Sequence, residues 1–226
     1  MRKISLYIVG TLLVIGYLTF VTLPQIFESV KPKPNTNGKY GSIVRLSRDG
    51  MTFCTGTVIQ PNLIVTAAHC VLMDTPFGAM LGGSMEIRPG TNVPTGVMAH
   101  PIFANQQMDQ ALLTGDFSAF NTRAYITEPA ELTKIRNGSK TFLSCGYPLA
   151  GNLYCTTLTY DHPENFYWAV KGVLIPGMSG GPTMVNGVVV AVNTAVEGPN
   201  SIVSPIYNVT MAIRQRAQAE SEKAGK

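Results

Sequence analysis

Short β-type runs separated by turn signals are the feature that most restricts how this chain can fold. Pairs that favour turns, such as Asp49-Gly50 and Pro61-Asn62, lie between the runs. Few segments show a helical period, so the pattern predicts an all-β barrel or sandwich. The predicted strands are residues 42–46, 53–59, 63–66, 85–88, 141–144, 156–160, 168–173, 187–193 and 201–204.

Two local signals refine this interpretation in the second half of the chain. Asn186-Gly187 lies between two apolar runs and predicts a tight hairpin. Residues 209–220 are rich in Ala, Gln and Arg, and they predict a C-terminal helix. Residues 221–226 are expected to form a frayed tail.

An apolar stretch without charges runs from Ile4 to about Phe27. About 20 apolar residues are enough to cross a bilayer. The stretch is longer than the apolar core of a secretory signal, and no clear Ala-x-Ala follows it. We therefore expect residues 1–30 to be an uncleaved membrane anchor, with a cleaved signal and a secreted protein as the alternative. Residues 31–38 are polar and contain proline, which is typical of a linker.

The distribution of charge argues against a nucleic-acid partner. The formal net charge is +4, but residues 38–226 carry 13 Lys and Arg against 12 Asp and Glu. The excess is at Arg2, Lys3, Lys31 and Lys33, which flank the apolar stretch. This arrangement favours a membrane contact through the N-terminal segment.

Three motifs supply a histidine, an aspartate and a serine in that order. His69 lies in Thr-Ala-Ala-His-Cys at 66–70, Asp109 precedes an apolar run at 111–113, and Ser179 lies in Gly-Met-Ser-Gly-Gly-Pro at 177–182. A serine hydroxyl becomes a nucleophile only with a base in hydrogen-bond reach and a third group that orients the base. The three residues suit the roles of base, orienting carboxylate and nucleophile.

Other residues of the same types fit these roles less well. His100 precedes a proline and is interpreted as structural, whereas His162 is placed in a loop. Asp116 lies in a Thr-Gly-Asp turn, so Asp109 is preferred as the orienting carboxylate. The histidines are isolated, and no phosphate-binding glycine loop precedes a helix. We therefore predict neither a metal site nor a cofactor.

The motifs, their order and their contexts resemble the trypsin-like, chymotrypsin-fold serine peptidases over about residues 38–218. The resemblance implies a peptidase domain at 39–220 built from two six-stranded antiparallel barrels. The first barrel would span about 39–120 and the second about 139–208, with the active site in the cleft between them. Residues 121–138 would connect the barrels.

The resemblance also assigns roles around the serine and the histidine. The N–H groups of Gly177 and Ser179 are expected to form the oxyanion hole. A disulfide between Cys54 and Cys70 is expected to pin the histidine loop.

Cys145 and Cys155 are close enough in sequence to close a second loop, although this pair has no clear counterpart in the family. Disulfides persist outside the reducing cytosol, so the four cysteines favour a periplasmic or extracellular catalytic domain. Four free thiols in a cytosolic domain are the alternative.

One departure from the family concerns activation. Digestive members carry an aspartate before the serine, which pairs with a newly cut N-terminus, whereas this chain has Met178. It also lacks an obvious activation sequence. In this respect it resembles bacterial members that need no such cleavage.

The specificity pocket is the least determined part of the site. The position of the pocket floor corresponds to Val173, which is uncharged. Asn193, Thr194 and Ala195 are expected to form the far wall and the strand that pairs with the substrate. The residue before the cleaved bond is therefore expected to be neutral, and small or aliphatic.

The expected function is that of a membrane-tethered serine endopeptidase that hydrolyses peptide or protein substrates through an acyl-enzyme intermediate. The alternative is a protease-fold binding or scaffold protein that is tethered to the membrane and has lost catalysis. Met178 is its only support in the sequence, because all three triad residue types are present.

Overall fold

The computed structural model describes residues 40–76, 78–120, 124–138, 141–149, 151–197 and 200–224, all within the larger of two compact units, residues 33–226. The predicted anchor and linker lie outside these residues. Within the described ranges, no helix is both long enough and apolar enough to span a membrane.

The described residues form fifteen strands, two α-helices and one 3₁₀ turn. They are β1 Ile43–Arg48, β2 Met51–Gln60, β3 Leu63–Thr66, the 3₁₀ turn Ala68–Cys70, β4 Leu72–Thr75, β5 Gly78–Leu81, β6 Met85–Arg88, β7 Met98–Asn105, β8 Gln110–Thr114, β9 Tyr125–Ile126, α1 Pro129–Gly138, β10 Thr141–Gly146, β11 Tyr154–Glu164, β12 Tyr167–Lys171, β13 Pro182–Val185, β14 Val188–Glu197, β15 Asn200–Pro205 and α2 Tyr207–Ala224.

The first barrel is closed, with the strand order β1-β2-β3-β8-β7-β6. Every pairing in it is antiparallel. Its interior is filled by fully buried aliphatic side chains such as Val44, Leu46, Ile64, Ile87 and Leu113. All four residues of β3 are buried, so the strand that leads to His69 is fixed from both faces.

The second barrel has the order β13-β10-β11-β12-β15-β14 and closes through the pairing of β13 with β14. The two-residue strand β9 adds to β14 in parallel. Trp168 is central to the core: its ring stacks on Phe142 at 5.6 Å and meets the edge of Tyr160 at 6.1 Å. The predicted all-β architecture of two six-stranded antiparallel barrels is therefore confirmed.

The structure also confirms two local predictions and adds elements that were not predicted. Asn186 and Gly187 both have positive φ, 51° and 82°, as a tight β13–β14 hairpin requires. The C-terminal helix is present, but it continues to Ala224 because the residues after 220 include good helix formers. The hairpin of β4 and β5 was missed because it is largely exposed and buries no alternating apolar face.

The buried Gln110 joins the two barrels directly beside Asp109. Its Nε2 donates to Ser204 Oγ at 2.6 Å and to the carbonyl of Pro205, both on β15. Its Oε1 accepts from the N–H of Val209 at 3.2 Å, in the first turn of α2. One amide therefore links β8 of the first barrel to β15 of the second barrel and to the C-terminal helix α2.

We predict that Gln110→Leu lowers the free energy of unfolding by about 2–4 kcal/mol. The change leaves the Pro205 carbonyl and the Val209 N–H buried without this partner, and each such group costs about 1–3 kcal/mol. Urea denaturation measures the effect. Gln107→Leu, at an exposed glutamine of the neighbouring turn, is the matched control and should change the value by less than about 0.5 kcal/mol. Equal losses in both variants would contradict the role of Gln110.

Candidate active site

His69 and Asp109 are held together by two hydrogen bonds. An ionised carboxylate only accepts, so His69 Nδ1 donates to Asp109 Oδ2, at 2.8 Å. The backbone N–H of His69 donates to Asp109 Oδ1 at 2.9 Å. With the proton on Nδ1, Nε2 is left as the basic nitrogen of the ring. The His69 side chain is 48% exposed and the Asp109 side chain only 10%, so the base is accessible while its partner is covered.

The local sequence explains how this pair is placed. After β3, the fully buried Ala67 and Ala68 let the chain enter the 3₁₀ turn that carries His69. Asp109 ends the turn before β8 with a φ of 47°, a left-handed conformation that Asp tolerates better than most residues. Strands β3 and β8 are paired, with Thr66 opposite Ala111, so the two turns begin at the same edge of the first barrel.

Ser179 lies in a tight loop whose glycines cannot be replaced without strain. Gly177 has a φ of 96°, and a Cβ there would come within 2.5 Å of the Tyr147 carbonyl oxygen. Gly180 has a φ of 81°, and a Cβ there would overlap Thr66 Oγ1 and the Thr55 carbonyl oxygen. The loop is therefore pressed against the first barrel, although it belongs to the second.

Thr55, on β2 of the first barrel, binds this loop at two points. Its N–H donates to the Ser179 carbonyl at 2.8 Å, and its hydroxyl donates to the Gly177 carbonyl at 2.7 Å. The same hydroxyl accepts the N–H of Tyr147 at 2.8 Å. The fully buried Thr55 therefore fixes the backbone on both sides of Met178. No local sequence signal indicates this role, since a threonine in a β-strand is ordinary.

The two N–H groups predicted to form the oxyanion hole are available. Met178 N–H donates to the Ile175 carbonyl at 3.0 Å, and Gly180 N–H donates to the Asn193 carbonyl at 2.8 Å. Within the described part of the chain, the N–H groups of Gly177 and Ser179 have no such acceptor. Both can therefore donate to a bound group.

The hydroxyl of Ser179 donates to the Thr194 carbonyl, at 3.4 Å. No hydrogen bond joins Ser179 to His69 in the residues that the structure describes. The two segments are nevertheless neighbours, because Sγ of Cys70, the residue after His69, lies 3.8 Å from the Ser179 carbonyl oxygen. Catalytic hydrogen bonds of free enzymes are often long and tighten only with substrate.

Asn193 supports the serine loop from inside the second barrel. Its Nδ2 donates to the carbonyls of Cys145 at 3.0 Å and Met178 at 3.2 Å. Its Oδ1 accepts the hydroxyls of Ser144 at 2.7 Å and Thr183 at 2.8 Å. The fully buried amide therefore uses its complete hydrogen-bonding capacity, and one of its partners is the residue directly before Ser179.

The four residues predicted to form the specificity pocket differ in how exposed their side chains are. Val173 is 52% exposed and follows β12, whereas the side chain of Asn193 is enclosed in the network just described. Thr194 is partly exposed and borders a cavity beside His69. The side chain of Ala195 lies outside the described residues. The assignment of these four residues to the specificity pocket stays a prediction.

The rival residues lie in other surroundings. His100 bonds to Ser84 Oγ at 2.9 Å, and His162 lies 3.2 Å from a carboxylate oxygen of Asp161. Asp116 is exposed and accepts from the hydroxyl and the N–H of Ser118, hydrogen bonds that lower the pKa of its carboxyl group. The structure therefore brings His69 together with Asp109 and with none of the alternatives.

Both disulfides have the predicted pairing. Cys54 is joined to Cys70, and Cys145 to Cys155. The first ties the histidine turn to β2, and a loop of this size stabilises the fold by about 3 kcal/mol in the chain-entropy model. The sulfurs of Cys54 and Cys70 and a ring nitrogen of His69 lie within 4.8 Å of one another. The disulfide removes both thiolates, so this group does not fit a metal ion.

A cavity of about 430 Å³ opens beside His69 and Asp109. Tyr167 is part of its wall, and its hydroxyl donates to the Gln107 carbonyl at 2.7 Å. Burial, and next the negative charge of Asp109, raise the pKa of Tyr167 above its ordinary value. The phenol is therefore neutral at physiological pH and keeps this hydrogen bond.

Comparison with known proteins identifies the family. The Trypsin family model matches residues 30–163, and the chain belongs to the trypsin family. This confirms the resemblance to trypsin-like serine peptidases on which the site was predicted. A trypsin from Saccharopolyspora erythraea is 28% identical over 94 residues, which are 41% of this chain and 41% of that protein. The matched part thus spans about two fifths of that relative.

A solved structure shares the fold. The structure of a Glu endopeptidase in complex with MPD matches with a TM-score of 0.63 and 20% sequence identity. The match covers 83% of this chain and 96% of that chain. The likeness therefore extends over both barrels.

We predict that Asn193→Leu weakens both the fold and the serine loop. The substitution keeps a similar volume but leaves several buried polar groups unpaired, so the free energy of unfolding should fall by about 2–4 kcal/mol. The rate of Ser179 labelling by a fluorophosphonate, measured under conditions where the variant is folded, should fall as well. Asn152→Leu, at an exposed position of the second barrel, is the control and should change neither quantity. A stable variant that labels at the normal rate would contradict this role.

Proposed function

We propose that this protein is a serine endopeptidase that cleaves peptide bonds through an acyl-enzyme intermediate. The observation that carries the proposal is the double contact of Asp109 with the ring and the backbone of His69. It fixes the tautomer and the orientation that a general base needs. The available N–H groups of Gly177 and Ser179 support the same reaction.

In the proposed mechanism, His69 Nε2 removes the proton of Ser179 as Oγ attacks the substrate carbonyl carbon. The carbonyl oxygen becomes an oxyanion that accepts hydrogen bonds from the N–H groups of Gly177 and Ser179. The imidazolium, stabilised by Asp109, then protonates the leaving amine, and the peptide C–N bond breaks. Water, deprotonated by His69 Nε2, then attacks the carbonyl carbon of the ester. As the bond between this carbon and Ser179 Oγ breaks, the His69 imidazolium returns the proton to Oγ and the carboxylic acid product leaves.

Before attack, the Ser179 side chain has to leave the Thr194 carbonyl and turn toward His69. This is a change of rotamer about a single bond, which occurs on the timescale of ordinary side-chain motion. The present direction of the hydroxyl is also the one observation in favour of the alternative, a protease-fold binding or scaffold protein without catalysis. Chemical labelling separates the two functions.

We predict that a fluorophosphonate adds once to the full-length protein and that Ser179→Ala abolishes the adduct. Intact-mass spectrometry measures this. Asp109→Asn should keep the fold but favour the wrong imidazole tautomer, so hydrolysis of a peptide substrate should slow by about 10⁴-fold. Asp116→Asn is the matched control and should leave the rate unchanged. A folded, oxidised protein that takes up no label would support the scaffold alternative instead.

The proposed enzyme does not depend on a newly cut N-terminus. Met178 is fully buried, and it lies so close to Gly146 that a Cβ there would be 2.8 Å from the Met178 Cβ. Thr55 and Asn193 bind the backbone around it. Packing and neutral hydrogen bonds therefore support the loop in place of an ion pair.

We also propose that the residue before the cleaved bond is neutral, and small or aliphatic. Val173 is uncharged, and the buried Leu174 beside it is held by a hydrogen bond from its N–H to Ser201 Oγ at 3.1 Å. A difference of one methylene in such a pocket is worth about 1–3 kcal/mol, so selectivity among aliphatic residues should be modest.

A library of peptides that varies this residue should show neutral residues enriched. Val173→Asp adds a carboxylate to the predicted pocket and should increase kcat/KM for Lys or Arg at the same position, because opposite charges attract. Met51→Asp, at an exposed apolar side chain of the first barrel, is the control. A wild-type preference for Lys, Arg or Glu at this position would contradict the proposal.

We further propose an extracytoplasmic catalytic domain that is tethered through residues 1–30. The two disulfides support an oxidising compartment. The length and apolar character of the stretch from Ile4 to Phe27 support the tether.

A further inference from the structure

The cavity of about 430 Å³ beside the histidine lies between the barrels, because Tyr167 on β12 and Thr194 on β14 line it together with residues of the first barrel. Among the described residues, its lining shares Thr194 with the predicted specificity pocket but does not include Val173, which stands at the predicted pocket floor. Cavities of about 300–1,000 Å³ are the size that small ligands and substrate groups occupy. A peptide bound at Ser179 would therefore have a second recess within reach.

One wall of this cavity is the exposed hairpin of β4 and β5. Leu72 and Asp74 are two residues apart on β4, so their side chains lie on the same face of the strand. Both border the cavity. Asp74 is exposed and forms no ion pair with any residue that the structure describes. The hairpin therefore presents a carboxylate without a cation.

The opposite wall is neutral. Gln106 offers an amide, and the ring of Tyr167 is fixed by its hydrogen bond to the Gln107 carbonyl. Among the described residues, the cavity is bordered by no Lys or Arg. While His69 is neutral, its lining carries the two negative charges of Asp74 and Asp109. Burial, and next the charge of Asp109, raise the pKa of Tyr167, so this phenol adds no negative charge of its own to the lining.

We propose that this cavity is a subsite for a Lys or Arg side chain of the substrate, with Asp74 binding the charged end. Leu72 and the ring of Tyr167 supply the apolar surface along which the aliphatic part of such a side chain packs. The inference rests on the proposed function, because it concerns a peptide held at Ser179.

The position of this residue in the substrate follows from strand geometry. Successive side chains of an extended peptide point to opposite sides. If the residue before the cleaved bond points to Val173 in the second barrel, the residue preceding it points toward His69 and the cavity. The preferred substrate is thus cleaved after a neutral residue that itself follows Lys or Arg.

The test compares peptides that are identical except at this preceding residue, which is Lys, Gln or Glu. An exposed ion pair is worth up to about 1 kcal/mol, so kcat/KM of the full-length protein should be about fivefold higher for Lys than for Gln. The preference should weaken in high salt, which screens exposed charges. Asp74→Asn should abolish it, and Asp74→Lys should reverse it in favour of Glu.

Two controls distinguish a failure of the proposed subsite from a failure of the proposed catalytic centre. Asp49→Asn, at an exposed aspartate of the β1–β2 turn, should keep the preference for Lys. Fluorophosphonate labelling of each variant reports the catalytic centre independently of the subsite. Normal labelling with no preference for Lys, or with a preference that Asp74→Asn leaves intact, overturns the subsite alone. Absence of labelling in the wild-type protein overturns the proposed function and the subsite with it.

Discussion

The hydrogen bonds that Thr55 makes across the barrel interface are the constraint on which the site depends. The histidine and the aspartate come from the first barrel and the serine from the second, so their relation is set by how the barrels meet. Thr55 binds the carbonyls of Gly177 and Ser179, and Gly180 leaves no room for a side chain at the same contact. The loop that carries Ser179 is therefore held directly against the first barrel.

A second set of buried polar contacts, made by Asn193 and Gln110, stabilises the same arrangement. Asn193 binds the Met178 carbonyl from the interior of the second barrel, so the serine loop is held from both sides. Gln110 holds the segment of Asp109 in a similar way. It directly follows Asp109, and its side-chain amide joins β8 to β15 and α2. Each amide is buried with its partners satisfied, and such networks specify one arrangement of the surrounding backbone.

The sequence predicted what depends on short motifs and on periodic burial. Nine strands, the Asn186-Gly187 turn and the proximity of His69 to Asp109 followed from local pattern and family resemblance. Thr55, Asn193 and Gln110 were not recognised as structural links, because their partners are distant in sequence and nothing local distinguishes them. The β4–β5 hairpin was missed for a different reason: both of its strands are largely exposed, so no buried face leaves an alternating apolar pattern.

The β4–β5 hairpin contributes to the lining of the cavity without contributing to the buried core. Around the serine loop, Thr55 and Asn193 both shape the site and hold the backbone, so a substitution at either residue changes stability together with the site. The hairpin contributes Leu72 and Asp74 to the cavity while burying almost nothing of its own. Because the hairpin buries so little, substitutions at Leu72 and Asp74 should change the lining of the cavity with little effect on folding.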